Sequence, residues 1–468
     1  MMKELSRMSR AMRPAFSRRA TYGWFVIVCI GFLMRYDDFG VSSIIRALAL
    51  PPSAYHCLLH FFHSSAWSVA GLMPLWWQWL GDLQIADHHD QRIILVGDHT
   101  KTPKDGRRIP AVATLHQDSE TASKPSFFRG HHWGALALVV RARDKCFATP
   151  LWASIHEGDE QVTESKPPPK TVRIVRMAQQ VASSLNRSAY LILDAYFAVG
   201  PVFTTARQRR INNEPSVHIL VRAKKSFVTY TQAAIPTQKK RGRPRRYGEK
   251  LRLVQLFDSR AQDFQQAEAR IYHRSETVRF LVLDLLWKPV HGMMRFILIE
   301  SSRGQIILMS SDLNLAPIAA IELFCRRISI ETMFDSLKNL IGGLAYHFWS
   351  RYLHPASRRP KKQTQPQHST RPAQTGITFA AIEKFVNLQF LVLGTLQVIA
   401  TLFPVEVVRQ SQCWLRTVSS QTPSEFVTRI ALIQKLKNNL TALRSDWISQ
   451  LIRRVQNSTQ KNVDKDAA

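Results

Sequence analysis

One stretch of this chain gathers charge beside an apolar stripe. Phe324-Cys-Arg-Arg-Ile-Ser-Ile-Glu331-Thr-Met-Phe-Asp-Ser-Leu-Lys338 reads as an amphipathic helix, with Ile330, Met333, Phe334, Leu337, Leu340 and Ile341 recurring at helical spacing. Phe324, Arg327, Glu331 and Lys338 line a second stripe, because residues three, four and seven apart share a helix face. One carboxylate is thus bracketed by two cations. Alone, such a face pairs with itself in solvent. Two further acids follow apolar strands: Asp98 after Ile93-Ile-Leu-Val-Gly, and Asp194 after Tyr190-Leu-Ile-Leu. Singly, each is a common strand-end cap. Together, three carboxylates can hold hard divalent cations, which take oxygen ligands.

The spacing of Phe324, Arg327, Glu331 and Lys338 resembles the Y-x2-R-x3-E-x6-K signature of insertion-sequence transposases with a DDE, RNase H-like catalytic core, with Phe in place of the tyrosine. The two strand-Asp segments resemble the same family, and the likeness covers roughly residues 90–350. It implies an α/β fold: an RNase H-like mixed-sheet catalytic core with a mainly β insertion before the catalytic-Glu helix, flanked by helical N- and C-terminal regions. It implies Asp98, Asp194 and Glu331 as catalytic residues and as ligands of two Mg2+ ions, with Mn2+ able to substitute. Arg327 and Lys338 are implied to hold the DNA backbone near the cleaved end. Phe324 lacks the hydroxyl that the signature tyrosine adds there. The implied partners are double-stranded DNA, as transposon inverted repeats and target DNA, and a second copy of the chain in a paired-end homodimer. The implied location is a bacterial cytoplasm, at the nucleoid. Two other readings stay open: a repurposed nuclease without strand transfer, and a catalytically dead DNA-binding protein, which Phe324 keeps alive.

Composition agrees with a polyanionic partner. Lys and Arg number 64 against 34 Asp and Glu, a net charge of +30. Such an excess favours nucleic acid over an anionic membrane. The five cysteines are scattered with no C-x2-C pair. That argues against a structural zinc site or a disulfide framework and fits a reducing compartment. Tyr22–Met34 is an apolar run behind Arg10, Arg13, Arg18 and Arg19, yet it is too short to span a bilayer and lacks a small-residue cleavage site. Phe385–Phe403 is interrupted by Asn387, Gln389, Gly394 and Gln397 and reads as a core helix. No membrane partner is expected.

In chain order, residues 1–88 are expected to form a helical N-terminal DNA-binding region broken at Pro51-Pro52. Residues 89–225 are the first part of the core, with strands Arg92–Val96, Ile109–Leu115, Ala135–Val140 and Ala189–Leu193, helix Thr171–Leu185, and Val217–Val221 as last core strand. Residues 226–305 are the mainly β insertion. Strands Leu251–Phe257, Val278–Leu286, Met294–Ile299 and Gln305–Met309 are expected in and just beyond it. The insertion carries Lys239-Lys240-Arg241-Gly-Arg243-Pro-Arg245-Arg246, which resembles an AT-hook core, a segment that lies in a narrow minor groove. Trp287 reads either as a base-stacking side chain or as an aromatic of a β core.

Residues 306–353 complete the core with the Glu331 helix, and Pro317 suits the first turn of a helix. Residues 354–376 read as a basic linker. Residues 377–468 read as a helical C-terminal region. There, Phe426, Ile430, Ile433, Leu436, Leu440, Leu443, Trp447 and Leu451 repeat three and four apart, for a helical hairpin or for dimerisation. His99, His131, His132 and His347 are assigned to packing or phosphate contact, since hard Mg2+ avoids imidazole.

Overall fold

The computed structural model describes residues 1–37, 39–117, 125–158, 167–234, 245–272, 274–357, 367–411, 421–442 and 446–457. The chain opens with helices α1 (Met2–Ala11), α2 (Arg19–Met34), α3 (Ser42–Ala47), α4 (Ala54–His63) and α5 (Val69–Asp82). Strands β1 (His88–His89), β2 (Arg92–Pro103), β3 (Ala113–His116), β4 (Phe127–Arg141) and β5 (Cys146–Ile155) follow. Next come α6 (Lys170–Leu185), β6 (Ala189–Leu193), α7 (Gly200–Ala206), β7 (Arg210–Ile211), β8 (Glu214–Pro215), β9 (Val217–Arg222), β10 (Val228–Gln232) and β11 (Tyr247–Arg252). The chain continues through α8 (Leu256–Ser259), β12 (Gln265–Ile271), β13 (Arg274–Trp287), β14 (Gly292–Ser301) and β15 (Gly304–Ser310). It ends with α9 (Pro317–Cys325), α10 (Ile328–Asp335), α11 (Pro372–Leu402), α12 (Pro404–Ser411), α13 (Glu425–Thr441) and α14 (Trp447–Gln456).

These elements form two units interleaved in sequence. One holds Asp87–Asp98 and Pro169–Ile330; the other holds Met1–Ala86, His99–Pro168 and Glu331–Ala468. The first is built on a large mixed sheet in the order β11-β10-β13-β14-β15-β9-β6-β2. β2, β6 and β9 run parallel, and the remaining pairs are antiparallel. Every residue of β6 is buried, as expected for parallel strands covered on both faces. The fold is mixed α/β and RNase H-like. β9 is the last parallel strand, and the inserted strands extend the sheet from it through β15.

In the second unit, β4 pairs antiparallel with both β3 and β5. Its longest helix, α11, has 31 residues and is long and apolar enough to cross a membrane, but 89% of its most apolar window is buried inside the protein. The polar residues that interrupt α11 are where it is fastened. The Asn387 side chain bonds the backbone N–H and C=O of Ala153, both at 2.9 Å. Gln397 donates to Glu425 at 3.0 Å. Gly394 leaves room for the indole of Trp76, which would stand 2.5 Å from an added Cβ.

Several expectations need correction. The Ile109–Leu115 strand shrinks to Ala113–His116, because Ala111 takes a left-handed φ of +61° just after Pro110. β5 was not expected, since Pro150 interrupts its pattern. Pro150 sits at a bulge, where the register with β4 slips. The carbonyls of Pro150 and Leu151 there accept from the indole N–H groups of Trp76 and Trp77 at 2.9 and 3.0 Å. The Leu251–Phe257 strand ends at Arg252; Leu253, Leu256 and Phe257, buried at helical spacing, turn into α8. The linker is shorter than expected, since α11 begins at Pro372, and residues 358–366 lie outside the described ones. The buried face of α13 is Val427, Ala431, Leu432 and Leu436, whereas Phe426 is 50% exposed. The contacts of α13 with α11 and α12 rotate its core face away from the expected stripe.

The largest correction concerns the expected single helix from Phe324. The chain forms α9, turns at Arg326-Arg327, and restarts as α10, which runs into a π-helical turn at Ser336–Leu340. At the break, the N–H groups of Arg327, Ser329 and Ile330 bond three residues back. The Ser329 hydroxyl also donates to the Arg326 carbonyl at 2.7 Å, competing with helical pairing. The Arg326 side chain pairs with the buried Asp87. Phe324 therefore belongs to a different helix from Glu331. Pro317 does stand in the first turn of α9, and the apolar stripe of Ile330, Met333, Phe334 and Leu337 is buried.

Candidate active site

β2 and β6 pair in register, with Ile93 opposite Ala189 and Val96 opposite Ile192. The pairing ends at Val96 and Ile192; Asp98 and Asp194 each follow two residues further along their own segment. Asp98 is an interior residue of β2, which runs on to Pro103, whereas Asp194 stands just past the C-terminal end of β6. Asp194 ends its strand as a cap: its Oδ1 accepts from the Ala195 N–H at 2.6 Å and starts a short 3-10 turn. Gly97 places Asp98. An added Cβ there would stand 2.6 Å from the Ile174 Cγ2 of α6 and 3.1 Å from Leu193, so only glycine lets the helix lie this close to the strand.

Arg327, in the turn between α9 and α10, reaches Asp98, with Nη1 3.4 Å from Oδ2. Neither side chain is fully exposed, at 18% and 25%. Glu331 lies in the first turn of α10 and is exposed. Lys338, in the π-helical turn, donates to the Thr100 hydroxyl at 2.7 Å.

Two arginines hold the end of that turn. Arg35, only 2% exposed, donates to the carbonyls of Ile341 and Gly342 and also bonds Gln389 and Ser43. Arg429 donates to the carbonyls of Leu340, Leu33 and Arg35. The partners here are carbonyls at a helix C-terminus, where a cation is favoured. Burial pushes the Arg429 guanidinium below its ordinary pKa.

Other expected site residues are distributed as follows. Phe324 is half-buried in α9. Trp287 is 4% exposed and lies against Phe227, with ring centroids 5.1 Å apart, and Phe203, at 5.6 Å. The base-stacking reading of Trp287 is thereby replaced by the β-core one. Lys239, Lys240, Arg241 and Arg243 lie outside the described residues. Arg245 is exposed, and Arg246 donates to the His291 carbonyl. His99 meets His156, with Nε2 to Nδ1 3.0 Å, and His132 contacts Glu157 at 3.0 Å. His131 is buried against Tyr346 and bonds the Pro110 carbonyl at 2.8 Å. His347 is exposed.

Gly97, Thr100, Arg35 and Arg429 were not singled out from sequence. A glycine inside a strand, between an apolar run and an acid, was a usable signal for the first; nothing local marks the other three. Among the described residues, no group of three or more His, Cys, Asp and Glu stands ready to hold a metal ion. Asp98 and Asp194 supply hard oxygen donors of the kind Mg2+ and Mn2+ accept. The positive charge beside Asp98 is supplied by Arg327.

Comparison with protein families bears on this arrangement. The family model for the DDE superfamily endonuclease matches residues 11–279, more than half of the chain. The protein belongs to the DDE superfamily endonuclease family. Its function is therefore of the nuclease and transposase type, and that superfamily generally uses divalent metals. The matched span includes Asp98 and Asp194 and ends before Glu331. No curated protein matched the sequence.

Proposed function

We propose that the protein is a DNA transposase that binds the terminal inverted repeats of its insertion sequence, cleaves the ends and joins the 3′-OH ends to target DNA. One observation supports the reading: in a chain of this endonuclease family, the parallel neighbours β2 and β6 each lead, two residues beyond their last paired position, to an aspartate, Asp98 and Asp194. Asp98 and Asp194, with Glu331 as the third carboxylate in the order of the signature, are the proposed ligands of two Mg2+ ions, Mn2+ substituting. Such ions, when bound, activate a water or a DNA 3′-hydroxyl and stabilise the departing 3′-oxygen.

The chain's own part is to hold DNA. Arg327 offers two parallel donors to a phosphate, and Lys338 offers a point charge. The basic segment Lys239–Arg246 and the net charge of +30 favour duplex binding. A homodimer would bring two ends together, in a bacterial cytoplasm.

The test is cleavage of a labelled duplex carrying the DNA that flanks this gene, by wild type and Glu331→Ala, with Mg2+, Mn2+ or EDTA. Metal-dependent nicking at a defined end, lost in the variant, is expected. Joining of a supplied 3′-OH end to plasmid distinguishes a transposase from a nuclease. Tight binding with no cutting in either metal would refute the catalytic reading and make Phe324→Tyr the next variant.

A further inference from the structure

A cleft of about 720 Å3 opens where the chain leaves β2 at Pro103. Arg107, Arg108, Tyr346, His347 and Trp349 line it, with Asp105 as the one carboxylate among its lining residues. Trp349 is 61% exposed, although both of its chain neighbours are buried and anchored. Phe348 packs on Phe62 and Phe385, with ring centroids 5.4 and 5.7 Å away. The Ser350 N–H donates to the Arg108 carbonyl at 2.9 Å. The Ala356 N–H donates to the Arg107 carbonyl at 2.8 Å, and Arg107 Nε returns a bond to the Ala356 carbonyl, also at 2.8 Å. The backbone that carries Trp349 is thus tied to the backbone that carries the two arginines. The indole is held out on a rigid support beside two guanidinium groups.

We propose that this cleft binds an unpaired DNA nucleotide, with the base on the Trp349 indole and the flanking phosphates on Arg107 and Arg108. The inference rests on the reading that the protein acts on DNA. A base inside a duplex has both faces covered by its neighbours, so an indole can stack only on one that has left the stack or never entered it. Base–aromatic stacking of this kind contributes about 1–3 kcal/mol per base and tolerates any sequence. The cleft lies within the volume range of small-ligand sites. Its two exposed arginines against one aspartate match the charge of a phosphodiester strand.

The experiment measures binding of a fluorescent blunt duplex and of the same duplex with a short single-stranded 3′ overhang, without divalent metal so that nothing is cut. Wild type is expected to bind the overhang duplex about tenfold more tightly, as ~1.4 kcal/mol of stacking requires. Trp349→Ala should erase that preference and leave blunt-duplex affinity in place. Trp349→Phe should keep most of it while losing the quenching of indole fluorescence by the overhang. Arg107→Met with Arg108→Met should weaken overhang binding and flatten its salt dependence. Equal binding of both duplexes by wild type, or an intact preference in Trp349→Ala, overturns the proposal, and blunt-duplex binding then still supports action on DNA. If wild type binds neither duplex, both readings fall. Trp349 is exposed, so thermal melting of its variants should match wild type.

Discussion

Arg327 Nη1 lies 3.4 Å from Asp98 Oδ2, so a guanidinium stands beside a carboxylate proposed as a metal ligand. A fixed cation there opposes a second cation by Coulomb repulsion and offers donors to a phosphate. Arg327→Ala should therefore bind Mn2+ several-fold more tightly in the absence of DNA, by isothermal titration, while cleaving DNA about tenfold or more slowly, as loss of a charged hydrogen bond of ~1.5–3 kcal/mol predicts. Unchanged metal affinity would remove the electrostatic link.

Asp98→Asn and Asp194→Asn keep side-chain shape and remove charge. Each should lower cleavage about a thousandfold, equivalent to ~4 kcal/mol of lost transition-state stabilisation. Duplex affinity should stay within about threefold, since neither carboxylate attracts phosphate. Gel-shift and nicking assays on the same preparation check both halves.

Gly97 sets how closely α6 packs against β2. Gly97→Ala puts a Cβ 2.6 Å from Ile174 Cγ2 and should destabilise the protein by about 1–3 kcal/mol, as overpacking does. It should also reduce cleavage by displacing Asp98. Combining it with Ile174→Ala removes the obstructing methyl, so the double variant should melt higher than the sum of the single effects predicts. Strict additivity would show that the clash is relieved elsewhere.

Arg35 is a buried cation that bonds carbonyls, an amide and a hydroxyl. Arg35→Met strands the carbonyls of Ile341 and Gly342 without those donors and should cost about 2–4 kcal/mol in urea unfolding. It also frees the end of the turn that carries Lys338. Surviving folded protein should then show weaker DNA binding than its stability loss explains.

His131 is fully buried, and burial pushes its pKa down to about 3. In the unfolded chain an imidazole takes a proton near pH 6.5. Between about 6.5 and about 3 the unfolded state therefore binds more protons than the folded one, and stability falls as pH falls through that window. The slope from this one group is at most ~1.4 kcal/mol per pH unit. His131→Gln should lose stability overall yet show a shallower decline from pH 6.5 to 4 in denaturant midpoints. A parallel decline would exclude His131 as the titrating group.

The apolar runs before Asp98 and Asp194 were legible because a buried parallel strand is a short, unbroken apolar run, but the expected strand Arg92–Val96 continues as β2 through Asp98 to Pro103, with polar residues in its second half. Ala189–Leu193 was expected with the limits the structure has. The helix carrying Glu331 was legible in its apolar stripe but not in its continuity. Its break depends on Ser329 claiming the Arg326 carbonyl and on Arg326 finding Asp87, far away in the chain. Trp287 shows the opposite limit: its composition suits stacking on a base as well as on Phe227, and only packing tells the two apart.

What the sequence by itself determined is therefore local or summed over the whole chain: buried apolar strands, a net positive charge, and the kinds of residue that hold metal and phosphate. Net charge and the period of apolar residues are independent of where the chain folds back. The tertiary structure decided which groups meet. It laid β2 beside β6 in parallel, brought Arg327 to Asp98, and left Trp349 uncovered while burying Trp287. Such pairings depend on distances between segments that no local pattern encodes, because each is fixed by the shape of the elements packed between them.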